Sequence, residues 1–207
     1  VLVITKEDIS NSGFRNVTEA LQSIPSANQY TQNESLTNNF TPNANELDLR
    51  NLGPGRVLYL INGRRTADYP VPYNNAGNIV NIGTVPSGLV ERIEVLSQGA
   101  SAIYGSDAVS GVVNFVLRKN FQGLEASSSY GLSSQGDAMK RRTDITFGSN
   151  FAEDKGNIVF SVGKTTMDPL MVGERAIGKT TTSSSSGLFS GSSTTSPAVI
   201  SVTPVAG

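Results

Sequence analysis

Residues 90–117 read VERIEVLSQGASAIYGSDAVSGVVNFVL, two apolar stretches joined by a run of small residues. Ile93 and Val95 alternate with Arg92 and Glu94, so a strand here carries aliphatic groups on one side and charges on the other. Pro86 leads into it through a short helical turn. From Gly99 to Ala108 small residues dominate, which lets backbone segments pack closely and turn sharply. Val112 to Leu117 predicts a second strand. The glycines match no phosphate-binding template, and Ser101 lacks the second glycine of a nucleophile elbow.

Upstream, Val57-Leu58-Tyr59-Leu60-Ile61 is an apolar run between Gly53-Pro54-Gly55 and Asn62-Gly63. Asn-Gly accepts positive φ at both positions, so Arg64 and Arg65 should begin a returning strand or loop. Two helix starts precede this run, at Thr5-Lys6-Glu7-Asp8 and Asn16-Val17-Thr18-Glu19, each a capping residue with an acid three positions on. Val17, Ala20, Leu21 and Ile24 share one helical face and Pro25 follows, predicting a short amphipathic helix over 17–24. Two polar loops interrupt the domain: Ser26 to Glu46, rich in Asn, Thr, Gln and Ser, and Asp68 to Asn81, with Tyr69, Tyr73, Asn74 and Asn75 among prolines. Loops so long in a compact domain either bind something or are solvated excursions.

Composition removes most chemistries. Across 207 residues, Lys plus Arg is 16 and Asp plus Glu is 17, a net charge of -1 that offers no basic field to nucleic acid. With no cysteine and no histidine there is no thiol nucleophile, no Ser-His-Asp triad, and none of the usual zinc or haem ligand sets, and no cofactor is implied. The carboxylates are scattered, so no acid-base pair can be assigned and an enzyme is not expected. No window approaches the ~20 apolar residues of a membrane-spanning helix.

Three linked blocks, Val90 to Leu96, Gly99 to Gly105 and Ala108 to Asn114, closely resemble the signature of TonB-dependent outer-membrane receptor plug domains. The resemblance extends to Val3 to Ile9, to the helix ending at Pro25, and to Leu49-Arg50-Asn51-Leu52 followed by Leu58 to Arg65, covering about residues 1–120. Where the family usually carries Arg-Gly this chain has Arg50-Asn51, so asparagine, the next most tolerant residue of positive φ, must meet a backbone position that glycine often fills. The TonB box of such receptors would precede Val1 and has no match here, which reads as truncation or disorder.

The remaining residues speak independently of these motifs. Leu124 to Leu132, Thr143 to Phe151 and Ile158 to Gly163 each alternate apolar with small or polar residues at a period of two, near the ~10 residues of a tilted bilayer-crossing strand. A soluble sandwich would alternate in the same way. The short turn 152–156 against the longer 133–139 and the segment beyond Met167 matches periplasmic turns and extracellular loops. Residues 179–196 are Thr-, Ser- and Gly-rich low complexity, reading as a flexible external loop or tail.

The expected fold is therefore an α+β plug, a mixed small sheet with short helices, over 1–120, then antiparallel strands of a transmembrane β-barrel over 121–166, with 167–207 an extracellular loop or flexible segment. A complete barrel of about 22 strands exceeds this chain, so the remainder of the barrel lies elsewhere. The resemblance implies a bacterial outer-membrane import receptor surrounded by lipid, whose plug gates the lumen, is opened by TonB with ExbB and ExbD, and admits a siderophore, cobalamin or oligosaccharide. Candidate ligand contacts are Asn28, Tyr30, Asn38, Asn39, Tyr69, Tyr73, Asn74 and Asn75. Arg50, Arg92 and Glu94 resemble plug residues that pair with barrel charges. A soluble or surface ligand-binding module without transport is the alternative.

Overall fold

The computed structural model describes residues 1–14, 16–27, 41, 44–73, 77–98, 100–153 and 155–170. Strand β1 (Leu2–Thr5) runs directly into helix α1 (Lys6–Asn11). Thr5 closes a capping box: its Oγ1 accepts from the Asp8 amide at 3.1 Å and its own amide donates to Asp8 Oδ2 at 2.8 Å. Helix α2 spans Val17–Gln22, capped by Asn16 Oδ1 accepting from the Glu19 amide at 2.8 Å. It stops short of the expected Ile24 because a residue before proline is sterically kept out of the helical region, and Ser23 caps instead.

Strand β2 (Val57–Ile61) turns through Asn62, at φ 49, and Gly63, at φ 78, into the two-residue strand β3 (Arg64–Arg65). Both turn residues lie in the left-handed region that the Asn-Gly pair tolerates. Strand β4 (Val90–Leu96), the single-turn helix α3 (Ser101–Tyr104) and strand β5 (Gly111–Leu117) complete a sheet of order β1-β4-β5-β2-β3. Every neighbouring pair is antiparallel except β2 and β5, which run parallel from Val57 beside Gly111 to Ile61 beside Phe115. Gly111 is required where it stands, since a Cβ there would lie 2.6 Å from the Leu96 carbonyl oxygen. Asn51 sits at φ 58, in the left-handed region that the resemblance to an Arg-Gly pattern implies, and Arg50 before it is at φ 63.

Both faces of β2 are buried, which explains its unbroken apolar run. Val57 and Tyr59 join α2, Ile93, Val95, Val113 and Phe115 in the main core. Leu58 and Leu60 face a smaller one with Val112, Ala100 and Ala108.

Polar groups are buried beside the main core. The buried Tyr59 hydroxyl accepts from the Leu47 amide at 3.0 Å, and beside it the Glu46 carboxyl accepts from the Gly55 amide at 2.6 Å. Burial, reinforced by Asp48 and opposed by the Gly55 amide, raises the Glu46 carboxyl to about 8, so it is neutral at pH 7.

A second sheet follows, with strands β6 (Gly123–Gly131), β7 (Lys140–Phe151) and β8 (Gly156–Met167) in consecutive order. Its polarity is reversed. Ile145, Phe147, Ile158, Phe160 and Val162 are exposed, while Thr146 is 2% exposed and Gly148 is buried. Residues Val1–Gly131 with Arg141–Thr166 form one compact unit, and Leu132–Lys140 with Met167–Gly207 form another. In the latter, the Ser133 amide donates to the Asp137 carbonyl and the Asp168 amide to the Met139 carbonyl.

Two outcomes are expected of the core. Phe115→Ala should cost about 3–5 kcal/mol in chemical denaturation, because Phe115 is fully buried. Glu46 binds a proton more tightly folded than unfolded, so its contribution to stability is complete below about pH 4.5 and is lost as pH rises through about 8. Glu46→Gln should abolish that slope in exchange protection of the Gly55 and Leu47 amides, after correction for intrinsic rates; an unchanged slope would assign the titration elsewhere.

Candidate functional site

The described ends of the two polar loops are joined to one another. The Ile82 amide donates to the Asn45 carbonyl at 2.8 Å and the Asn45 amide to Asn81 Oδ1 at 3.0 Å, joining the last turn of the first loop to the end of the second. The first loop closes where the Arg50 amide donates to the Ser26 carbonyl at 2.9 Å. In the second, the Tyr69 amide donates to the Ile79 carbonyl and the Tyr73 amide to the Gly77 carbonyl, at 2.7 and 2.8 Å. Tyr69 and Tyr73 are thereby held half-buried on one narrow excursion. Asn28, Tyr30, Asn38, Asn39, Asn74 and Asn75 lie outside the described residues.

Below the second loop is a cavity of about 770 Å³ bordered by Glu46, Tyr59, Arg65, Asp68, Asn78 and Asp107. Arg65 forms an ion pair with Asp107 and donates to the Tyr104 carbonyl at 2.9 Å, tying β3 to the α3 turn. The hydrogen bond that Arg65 Nη1 donates to Asp107 Oδ2, with the guanidinium charge, lowers the Asp107 carboxyl from its ordinary value. Asn78 Nδ2 donates to Asp68 Oδ2 at 2.9 Å. These border residues escaped the sequence reading because β3 and the α3 turn are far apart in the chain; the one local sign was the Arg64-Arg65 pair after Asn-Gly.

Arg92 and Glu94 meet on the polar side of β4, where Arg92 Nε donates to Glu94 Oε1 at 2.8 Å and Asn114 Nδ2 to Glu94 Oε2 at 3.0 Å. The Asn114 bond, with Arg92 second, lowers the Glu94 carboxyl from its ordinary value. Arg50 reaches the Ser97 carbonyl at 3.4 Å, just past the end of the same strand.

Polar contacts to the second sheet come from other residues. Arg118 donates twice to Glu125 Oε2 at 2.9 Å, Lys6 pairs with Glu125 Oε1, and Arg142 Nη2 donates to Ser87 Oγ at 2.6 Å. The sign that could have found them was present: Glu125, Arg142 and Asp144 occupy the non-apolar phase of alternating strands, where a charge needs a partner or water. Among the described residues no group of three or more Asp or Glu stands where it could hold a metal ion, and no helix is long and apolar enough to cross a membrane.

Known proteins carry the same pattern. Residues 1–112 match the TonB-dependent Receptor Plug Domain family. The iron-regulated outer membrane virulence protein of Vibrio cholerae serotype O1 is 32% identical over 123 residues, 59% of this chain but 18% of that protein, so the chain spans under a fifth of this relative's length. The siderophore receptor PirA from Acinetobacter baumannii superposes with a TM-score of 0.66 over 87% of this chain and 26% of that one, at 22% identity. The ferric enterobactin receptor of Pseudomonas aeruginosa, solved in complex with enterobactin, does so with a TM-score of 0.64 over 84% and 26%, at 20% identity. With a mixed sheet and short helices followed by strands of reversed polarity, the chain belongs to the TonB-dependent receptor plug family.

Proposed function

We propose that this chain is the gate and the first stretch of wall of an active import receptor. In this reading residues 1–120 are the plug, 121–166 the first three barrel strands, and 167–207 an extracellular segment. The observation that supports it best is the reversed sheet. Its exposed row of Leu124, Tyr130, Ile145, Phe147, Phe160 and Val162 suits lipid, and its opposite side holds the Glu125 and Arg142 contacts to the plug. Only a closed barrel satisfies every backbone group of such a sheet within a bilayer.

TonB, with ExbB and ExbD, acts on a segment preceding Val1 and disturbs the plug so that a bound nutrient passes. Receptors for siderophores and for ferric enterobactin share the fold, and a ferric siderophore is accordingly the ligand class we assign. The two loops that rise from Asn45, Asn81 and Ile82 are the outward apices, presenting Tyr69 and Tyr73 together with Asn28, Tyr30, Asn38, Asn39, Asn74 and Asn75. Arg50 and the Arg92–Glu94 pair meet charges on barrel strands beyond the three seen here. A soluble binding module would have no use for the exposed aromatic row.

Tyr69→Ala combined with Tyr73→Ala in the full receptor should weaken binding of a ferric siderophore by about 1.4–2.8 kcal/mol, roughly ten- to a hundredfold, with barrel assembly unchanged. Unaltered affinity across a panel of ferric siderophores would remove these loops from recognition. Phe160→Arg should destabilise the folded receptor in lipid vesicles by about 2–4 kcal/mol if the residue lies near the bilayer midplane. A sheet facing water would tolerate the change.

A further inference from the structure

Two cavities run along the seam between the plug and the second sheet, and they adjoin at one ion pair. The first, of about 250 Å³, lies between the α1 end of the plug with the Ser87-Gly88 turn and the wall residues Ser127, Ser129 and Thr146. The second, of about 370 Å³, lies between Asn16, Gly83 and Pro86 and the wall residues Ser161, Gly163 and Thr165. Arg142 and Asp144 border both. They bond to one another at 2.8 Å between Nη2 and Oδ1, with side chains only 15% and 13% exposed, and the same Nη2 reaches Ser87 Oγ at 2.6 Å.

The wall of this seam is lined by serine, threonine and glycine, groups too short to fill it and too polar to exclude water. The backbones approach closely where the plug has glycine: a Cβ on Gly88 would lie 2.5 Å from Thr146 Oγ1 and 2.6 Å from Ser161 Oγ. The side chain of Arg142, long enough to span from the wall to the plug, therefore stands where the two hollows would otherwise run together.

We infer that the seam beside β7 and β8 is the path that small hydrophilic solutes take past the plug, and that Arg142, held by Asp144 and tethered to Ser87, is the positioning residue that keeps it shut. This rests on the import reading, and it names the side of the plug that opens. Lys6, one residue past the β1 edge strand, pairs with Glu125 on the border of the first cavity. A pull on the chain ahead of Val1 thus reaches the seam through β1 after few intervening residues.

The test uses the full receptor in planar lipid bilayers with potassium chloride as the only probe, and with neither TonB nor a nutrient present, so its result is independent of whether import is the native function. Arg142→Ala should raise the basal conductance several-fold over the wild type, while Arg141→Ala, whose side chain lies over the Tyr130 ring, should leave it closed. Ser87→Ala, which removes only the tether, should open it as well and carries the test if Arg142→Ala fails to assemble. A bridge then separates a leak at this seam from a generally loosened plug. The Gly88 Cβ position lies 3.7 Å from Ser161 Cβ, within the ~3.5–4.5 Å of a disulfide, residues 1–207 hold no cysteine, and any cysteine elsewhere in the receptor is first replaced by serine. In the leaking background, Gly88→Cys with Ser161→Cys, and Thr146→Ala to make room, should close the conductance on oxidation and restore it on reduction. Assembled Arg142→Ala and Ser87→Ala receptors as tight as the wild type, or a leak indifferent to the bridge, would overturn the inference.

Discussion

Phe147, Phe151, Ile158, Phe160 and Val162 turn their side chains away from the protein's own interior, while Thr146 and Gly148 on the intervening positions are buried. In water that arrangement forfeits about 25 cal/mol for every Å² of apolar surface left wet. In hydrocarbon the same row is at home, and the backbone beneath it must find all its hydrogen bonds within the sheet. The short polar side chains facing inward follow from the same constraint, since the inward face must leave room for a separate domain. The plug meets this inside-out sheet on its polar face, through Lys6, Arg118 and Ser87.

The plug is built to hold together under that wrapping. Its parallel β2–β5 pairing lies at the centre with apolar groups on both faces, while β1 lies at an edge with Leu2 and Val3 exposed. A graded structure results, with a well-packed middle and a lightly held N-terminal edge. The neutral carboxyl of Glu46 adds a pH-sensitive element to the middle, since ionising it in place requires a buried charge to be accommodated beside Asp48.

Contacts between plug and wall are few, polar and specific rather than broad and apolar. Glu125 receives both Lys6 and Arg118, and Arg142 spans to Ser87. Partly exposed ion pairs of this kind contribute little to stability. Between the cavities on either side of Arg142 the lining side chains are mostly short, and the long Arg142 side chain bridges the faces there as Lys6 and Arg118 do at Glu125.

Much of this was legible along the chain, for local reasons. The Thr5 capping box, the Asn62-Gly63 turn, the buried run Val57–Ile61 and the positive φ at Asn51 are each decided by neighbours within a few residues. The period-two alternation of β6–β8 was equally plain, but its meaning was not, because alternation tells which residues share a face and not which face meets the core. Only the tertiary structure decided that the apolar face points outward. The same holds for the Arg65–Asp107 pair and the Arg142–Ser87 contact, whose partners lie 42 and 55 residues apart in sequence, and for Glu46, whose Gly55 partner is 9 residues away but whose burial is set by the packed core. Sequence determines what each short segment can do alone, and the closing of long loops determines which segments meet.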